Sequence, residues 1–290
     1  MWRVGWVHLT AVLLTTGLLA LLCTGCGSSA QSSDVQQAVG SPSPATTAEA
    51  ANEAVSAAAA GTGMDALHKA AAANKYLFAF FWKAEDESTR ARRKVFDAAV
   101  TQIAERADAV AVNVTAKAET QIVEKFGLDR APMPLVLAIA PNGAITGGFP
   151  DSFSEQELLD AFASPCLEKV VKALQDRKLT FLCVQNAKTP GNEDSLKGVR
   201  DFCADERYRS ATQIVMLDPA AKAEAKLLSD LKISADTASA VTVFLAPPGS
   251  PIAMFEGATT KEALVETLQK ASSACGPGGS CGPGGCGPAK

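Results

Sequence analysis

Eight cysteines and two histidines are the residues of this 290-residue chain best suited to chemistry. Thiolates attack disulfides and bind soft metals such as Cu(I). Cys275, Cys281 and Cys286 each open a Cys-Gly-Pro triplet near the C-terminus. Their spacings are not those of a zinc ribbon or a ferredoxin. Gly and Pro dominate around them, so residues 274–290 read as a flexible tail presenting three thiols. Three readings of the tail stay open: no chemistry, soft-metal binding, or disulfide cross-linking and exchange. Cys183 lies in an apolar strand, where a lone cysteine behaves as a small hydrophobe. Cys203 lies late in a helix, and a Cys183–Cys203 disulfide is one option. Cys166 follows Ser164-Pro165 and is buried, free or paired with the tail. His8 and His68 are too few for a His-rich metal site or a Ser-His-Asp hydrolase.

Composition removes other classes. Lys plus Arg is 27 and Asp plus Glu is 31, a formal charge of −4, which argues against a nucleic-acid partner. An apolar fraction of 47% with 20% charged residues is that of a globular protein. There is no P-loop and no Gly-rich dinucleotide fingerprint after a strand.

The elements that must position these residues follow from the N-terminus. Arg3 precedes an apolar run from Ala11 to Leu22, the form of a secretory signal and short for a spanning helix, which needs about 20 residues. Thr24-Gly25-Cys26-Gly27-Ser28 resembles a bacterial lipoprotein box. In that family the cysteine carries diacylglycerol and becomes the mature N-terminus, a role that falls to Cys26. A plain cleaved signal or an uncleaved anchor is the alternative. The resemblance implies a lipid-anchored protein of the cell envelope, facing the periplasm or the exterior, where disulfides are permitted. Residues 1–25 are then the signal and 26–63 a tether. The tether is rich in Ser, Ala, Gln, Thr and Pro and too poor in large apolar residues to fold.

From Met64 the periodicity becomes orderly. It predicts helices at Met64–Ala73, Glu87–Arg106 and Ala118–Phe126, and one opened by a capping box at Ser154 and Glu157. Strands are predicted at Tyr76–Trp82, Asp108–Val114, Pro134–Ala140 and Ala144–Gly148. The order β-α-β-α-β-β-α implies a mixed central sheet covered on both faces. The order then recurs, with strands at Leu179–Gln185, Thr212–Leu217, Val241–Ala246 and Ile252–Phe255. Helices are predicted there at Ser195–Glu206, Ala220–Leu231 and Lys261–Ala271. Ala116-Lys117-Ala118-Glu119 and Ala221-Lys222-Ala223-Glu224 share letters. The chain therefore reads as two tandem α/β domains, 64–163 and 164–273.

Phe80-Phe81-Trp82-Lys83-Ala84 resembles the strand that leads to the redox site of the thioredoxin family. Phe126 to Leu135 resembles that family's helix end, loop and cis-proline, and Pro141-Asn142-Gly143 its hairpin turn. The resemblance implies tandem thioredoxin-like domains, with Met133 and Pro134 forming a loop whose backbone pairs with an extended peptide. It also places the family's Cys-x-x-Cys on Asp86, Glu87, Ser88 and Thr89. Thiol exchange needs an attacking and a resolving thiol, and these residues supply neither. They suit a helix N-terminus instead. In the second half, Ser239-Ala240 stands where the proline would fall. The expectation is a membrane-tethered, extracytoplasmic thioredoxin-like protein without the redox dithiol, binding or scaffolding another protein and needing no cofactor. The alternative is thiol exchange or copper handling through the tail.

Overall fold

The computed structural model describes residues 62–273. The export signal, Cys26, most of the tether, and Cys275, Cys281 and Cys286 lie outside the described residues. The first helix, α1 (Gly63–Ala72), begins at the last residue of the expected tether, one residue before the expected start at Met64. Thr62 explains the start. Its hydroxyl accepts the Asp65 N–H, while the Asp65 carboxylate accepts the Thr62 N–H at 2.8 Å.

The first half continues β1 (Tyr76–Trp82), α2 (Glu87–Gln102), β2 (Ala107–Asn113), α3 (Thr120–Phe126), β3 (Leu135–Ile139), β4 (Ile145–Pro150) and α4 (Glu155–Leu159). Its sheet runs β2-β1-β3-β4, with β1 parallel to β2 and antiparallel to β3. The second half repeats the plan: α5 (Pro165–Gln175), β5 (Leu179–Val184), α6 (Asn192–Ala204), β6 (Thr212–Leu217), α7 (Ala225–Asp230), β7 (Val241–Ala246), β8 (Ser250–Glu256) and α8 (Lys261–Ser273). Its sheet runs β6-β5-β7-β8 in the same senses. These are two tandem thioredoxin-like domains, each a four-stranded mixed sheet flanked by helices.

Alternation along the central strands supplies both faces of each sheet. Leu77, Ala79 and Phe81 pack with Leu67 and Ala70 of α1 and Ile122 of α3. Phe78 and Phe80 pack with Phe96 and Ala99 of α2 and Leu158 of α4. In the second half Leu182 and Val184 meet Val170 and Leu174 of α5, while Phe181 and Cys183 meet Val199 and Phe202 of α6. Each fully buried aromatic or aliphatic side chain stabilises by about 1.5–3 kcal/mol relative to exposure.

Two local differences from the expected elements have clear causes. The segment predicted as one helix from Ala118 starts as a 3-10 turn at Lys117–Glu119, and the same occurs at Lys222–Glu224. In both halves that turn aims a glutamate at the N-terminus of the half's first helix. Glu119 accepts the Gly63 N–H at 2.8 Å, and Glu224 accepts the Cys166 N–H at 3.0 Å and the Ser164 hydroxyl. Helix α5 itself was not expected. Ser164 caps it through the Leu167 N–H, and Pro165 fills its first position.

Candidate functional site

Four residues join Trp82 at the end of β1 to the start of α2. Asp86, the last of them, caps α2: its Oδ1 accepts the Thr89 N–H at 2.7 Å. That hydrogen bond, with a second from the Thr89 hydroxyl, holds the Asp86 carboxyl below its ordinary value. Glu87 and Ser88 are exposed in the first turn, and Thr89 is buried beneath it. The four residues on which the resemblance places a dithiol are here the cap and first turn of a helix. Replacing Asp86 with alanine is expected to lower Tm by about 2–4 °C, read by calorimetry. The sign with pH is fixed by the depressed carboxyl. Its contribution is complete above the unfolded value of 3.8 and disappears as pH falls through the lower folded value. Asp86→Asn should lose that acid dependence.

The Met133–Pro134 bond is cis. Pro134 is buried and Met133 half-buried. The Pro134 carbonyl accepts the Asp151 N–H at 2.9 Å, tying the loop to the end of β4. Among the described residues, nothing hydrogen-bonds the Met133 N–H or C=O.

The second half treats the same place differently. Leu135 pairs with Phe81 across the first sheet and Val241 with Val184 across the second, so Ala240 occupies the register of Pro134. The Ala240 carbonyl accepts the Gly257 N–H at 2.7 Å, the counterpart of the Pro134–Asp151 bond. Ala240 also has an N–H, which proline lacks, and this donates to the Pro190 carbonyl at 3.0 Å. Loop 185–191 is longer than 83–86 and brings Pro190 there. Beside it, the Ser239 carbonyl accepts the Thr237 hydroxyl at 2.8 Å, whereas the Met133 carbonyl in the same register of the first half accepts nothing among the described residues. Sequence reasoning identified the missing proline but not this closure. The cis bond of the second half lies instead at Pro247–Pro248, in the hairpin turn.

The three cysteines of the described residues are free thiols. The Cys166 Sγ donates to the Met216 carbonyl at 3.2 Å. Burial, then the Glu224 charge, pushes its thiol up to about 11. Burial alone is the largest cause for Cys183, also about 11, and for Cys203, which is raised. The Cys183–Cys203 bridge considered from the sequence is not formed. Cys183 bonds to Thr242 and Cys203 to Thr212. Thr212 lies opposite Leu179, four residues along β5 from Cys183 and so roughly 13 Å away along the strand. A disulfide needs Cα atoms within about 7 Å. These thiols should therefore react with a disulfide reagent at pH 8 only after denaturation, in a variant with the tail cysteines changed to serine.

A shallow groove of about 680 Å³ with charged side chains on its walls runs along the seam between α6 and the start of α8. Its charges largely answer one another: Lys197 pairs with Asp201, and Asp205 is held by both Lys261 and Arg207. Those two cations keep the Asp205 carboxyl well below the usual range. No group of His, Cys, Asp and Glu among the described residues could hold a metal ion, and no helix there is long and apolar enough to cross a membrane.

No protein-family model matches the chain, and no curated protein matches it. Among solved structures it is similar to the first two thioredoxin domains of Saccharomyces cerevisiae Eps1p, at 8% identity and a TM-score of 0.28 over 72% of this chain and 96% of that one. It is similar to chloroplastic thioredoxin z at 12% identity and a TM-score of 0.29, over 39% of this chain and 92% of that one. A malarial protein matches at 12% identity and a TM-score of 0.27, over 30% of this chain and 93% of its own.

Proposed function

We propose that this protein is a binding module of the cell envelope. It is anchored through a lipid on Cys26, and its first half receives an extended segment of a partner protein along Met133 and Pro134. The observation that carries this reading is the contrast between the halves. The Met133 N–H and C=O are both unused among the described residues, whereas in the second half the matching Ser239 carbonyl accepts the Thr237 hydroxyl at 2.8 Å and the adjacent Ala240 N–H is taken by Pro190. An extended peptide satisfies such groups as an added strand does. The helix cap at Asp86 is consistent with binding without thiol exchange.

A photo-crosslinking residue placed at Met133 in the anchored protein should give a discrete adduct that Pro134→Ala weakens. The same residue at Ser239 should give none. Equal labelling at the two positions overturns the reading. Lipidation is tested separately: labelled fatty acid should enter the wild type and not Cys26→Ser.

One observation favours keeping the second reading in view. The thiols at Cys166, Cys183 and Cys203 are buried or raised, so any thiol exchange or copper binding falls to Cys275, Cys281 and Cys286. Insulin reduction by the mature protein that vanishes when all three become serine would replace the binding reading with that one.

A further inference from the structure

We infer that α5 locks the two thioredoxin-like halves into one rigid body. Relative motion is the ordinary expectation for tandem domains, because the interfaces within a chain are usually small and polar. Here a single helix is held from both sides. Cys166, Val170 and Leu174, spaced at i, i+4 and i+8, form one stripe buried in the core of the second half. At the start of the helix, the Cys166 N–H and the Ser164 hydroxyl both bond to Glu224. Glu168, Val171 and Gln175, spaced at i, i+3 and i+7, form a second stripe that faces the first half.

Each residue of the second stripe makes a specific contact. The Tyr76 hydroxyl donates to Glu168 Oε1 at 2.6 Å and accepts the Ala163 N–H at 3.0 Å. That one phenol fixes both the linker and the helix to the first strand. Val171 packs against the core of the first half. Gln175 uses its whole amide: Oε1 accepts the Ile145 N–H at 3.0 Å and Nε2 donates to the Ile145 carbonyl at 2.8 Å. Between them the Phe162 ring lies 4.7 Å from that of Tyr76 and 5.6 Å from that of Phe78, with the Arg106 guanidinium 3.9 Å from its centre. Rotating one half against the other would break the Ile145 pair and the phenol bridge to Glu168 together, while the ring stack holds Tyr76 in place from within the first half. The inference is independent of the peptide-binding reading.

The test uses the full mature chain. Nitrogen-15 relaxation should return one rotational diffusion tensor for both halves, and separate tensors overturn the inference. Hydrogen exchange at Ile145 and Ala163 reads the lock directly. In Gln175→Ala the Ile145 amide should exchange about tenfold faster, with β1 and β5 amides unchanged. In Tyr76→Phe, which keeps the ring, the same acceleration should appear at Ala163. Unchanged exchange at both amides overturns the assignment to α5. Gln175 is exposed, so its variant remains informative if Tyr76→Phe folds poorly.

Discussion

Gly198→Ala will destabilise the protein by about 3 kcal/mol or more. Gly198 lies inside α6, where alanine would ordinarily gain about 0.5–1 kcal/mol over glycine. The expected sign is therefore the reverse of the helix preference. A Cβ on Gly198 would overlap the carbonyl carbon and oxygen of Thr259 and come within 2.8 Å of the Thr260 Cα. All three are backbone atoms and cannot swing aside as a flexible side chain can. The helix would have to leave the 258–260 segment, and the packing of Val199 and Phe202 against Leu264 would loosen with it. Denaturant unfolding measures the loss. Gly148→Ala is the control, because its nearest neighbour is the Leu137 Cδ2 at 3.6 Å, an ordinary contact. A Gly198→Ala protein as stable as the wild type would show that α6 does not sit this close to Thr259.

The second large effect belongs to Glu224, which is 3% exposed. Glu224→Ala should cost about 3 kcal/mol, because it strands the Ser164 hydroxyl and the Cys166 N–H in a buried site. Glu119→Ala, at the matching place in the first half, should cost less. Glu119 is only half-buried and accepts one backbone N–H, that of Gly63. Unfolding of the two variants side by side checks the order. A chemical readout accompanies it. The Glu224 charge is one cause of the raised Cys166 thiol, so Glu224→Gln should bring that thiol down from about 11. If titration in a background without the tail cysteines shows no movement, the carboxylate does not face the thiol.

Much of the architecture was legible because apolar runs and turn residues mark it. Tyr76–Trp82, Thr212–Leu217 and Val241–Ala246 coincide with strands as read from the chain. Helix α5 was missed although Ser164-Pro165 is a start signal, because its second stripe is polar at Glu168 and Gln175 and does not look like a buried face. The Ala-Lys-Ala-Glu repeat was visible as letters, but its purpose was not. Each glutamate finds its main-chain partner 56 or 58 residues earlier, at a distance only the fold creates. At the candidate site, the loss of the dithiol could be read directly from Asp86 to Thr89. The closure of the second half could not, since it depends on where loop 185–191 carries the Pro190 carbonyl.

Sheet edges are templates on which other chains can pair, and β4 and β8 are such edges. Ile145 and Pro251 occupy the same register on them, opposite Ile139 and Leu245 and beside the same bulge. The first half blunts this point with the Gln175 amide, the second with a proline that has no N–H to offer. One device is borrowed across the junction and the other is written into the strand. A fragment ending after the first half would expose a sticky edge and tend to aggregate, while the second half carries its own protection wherever the chain is cut.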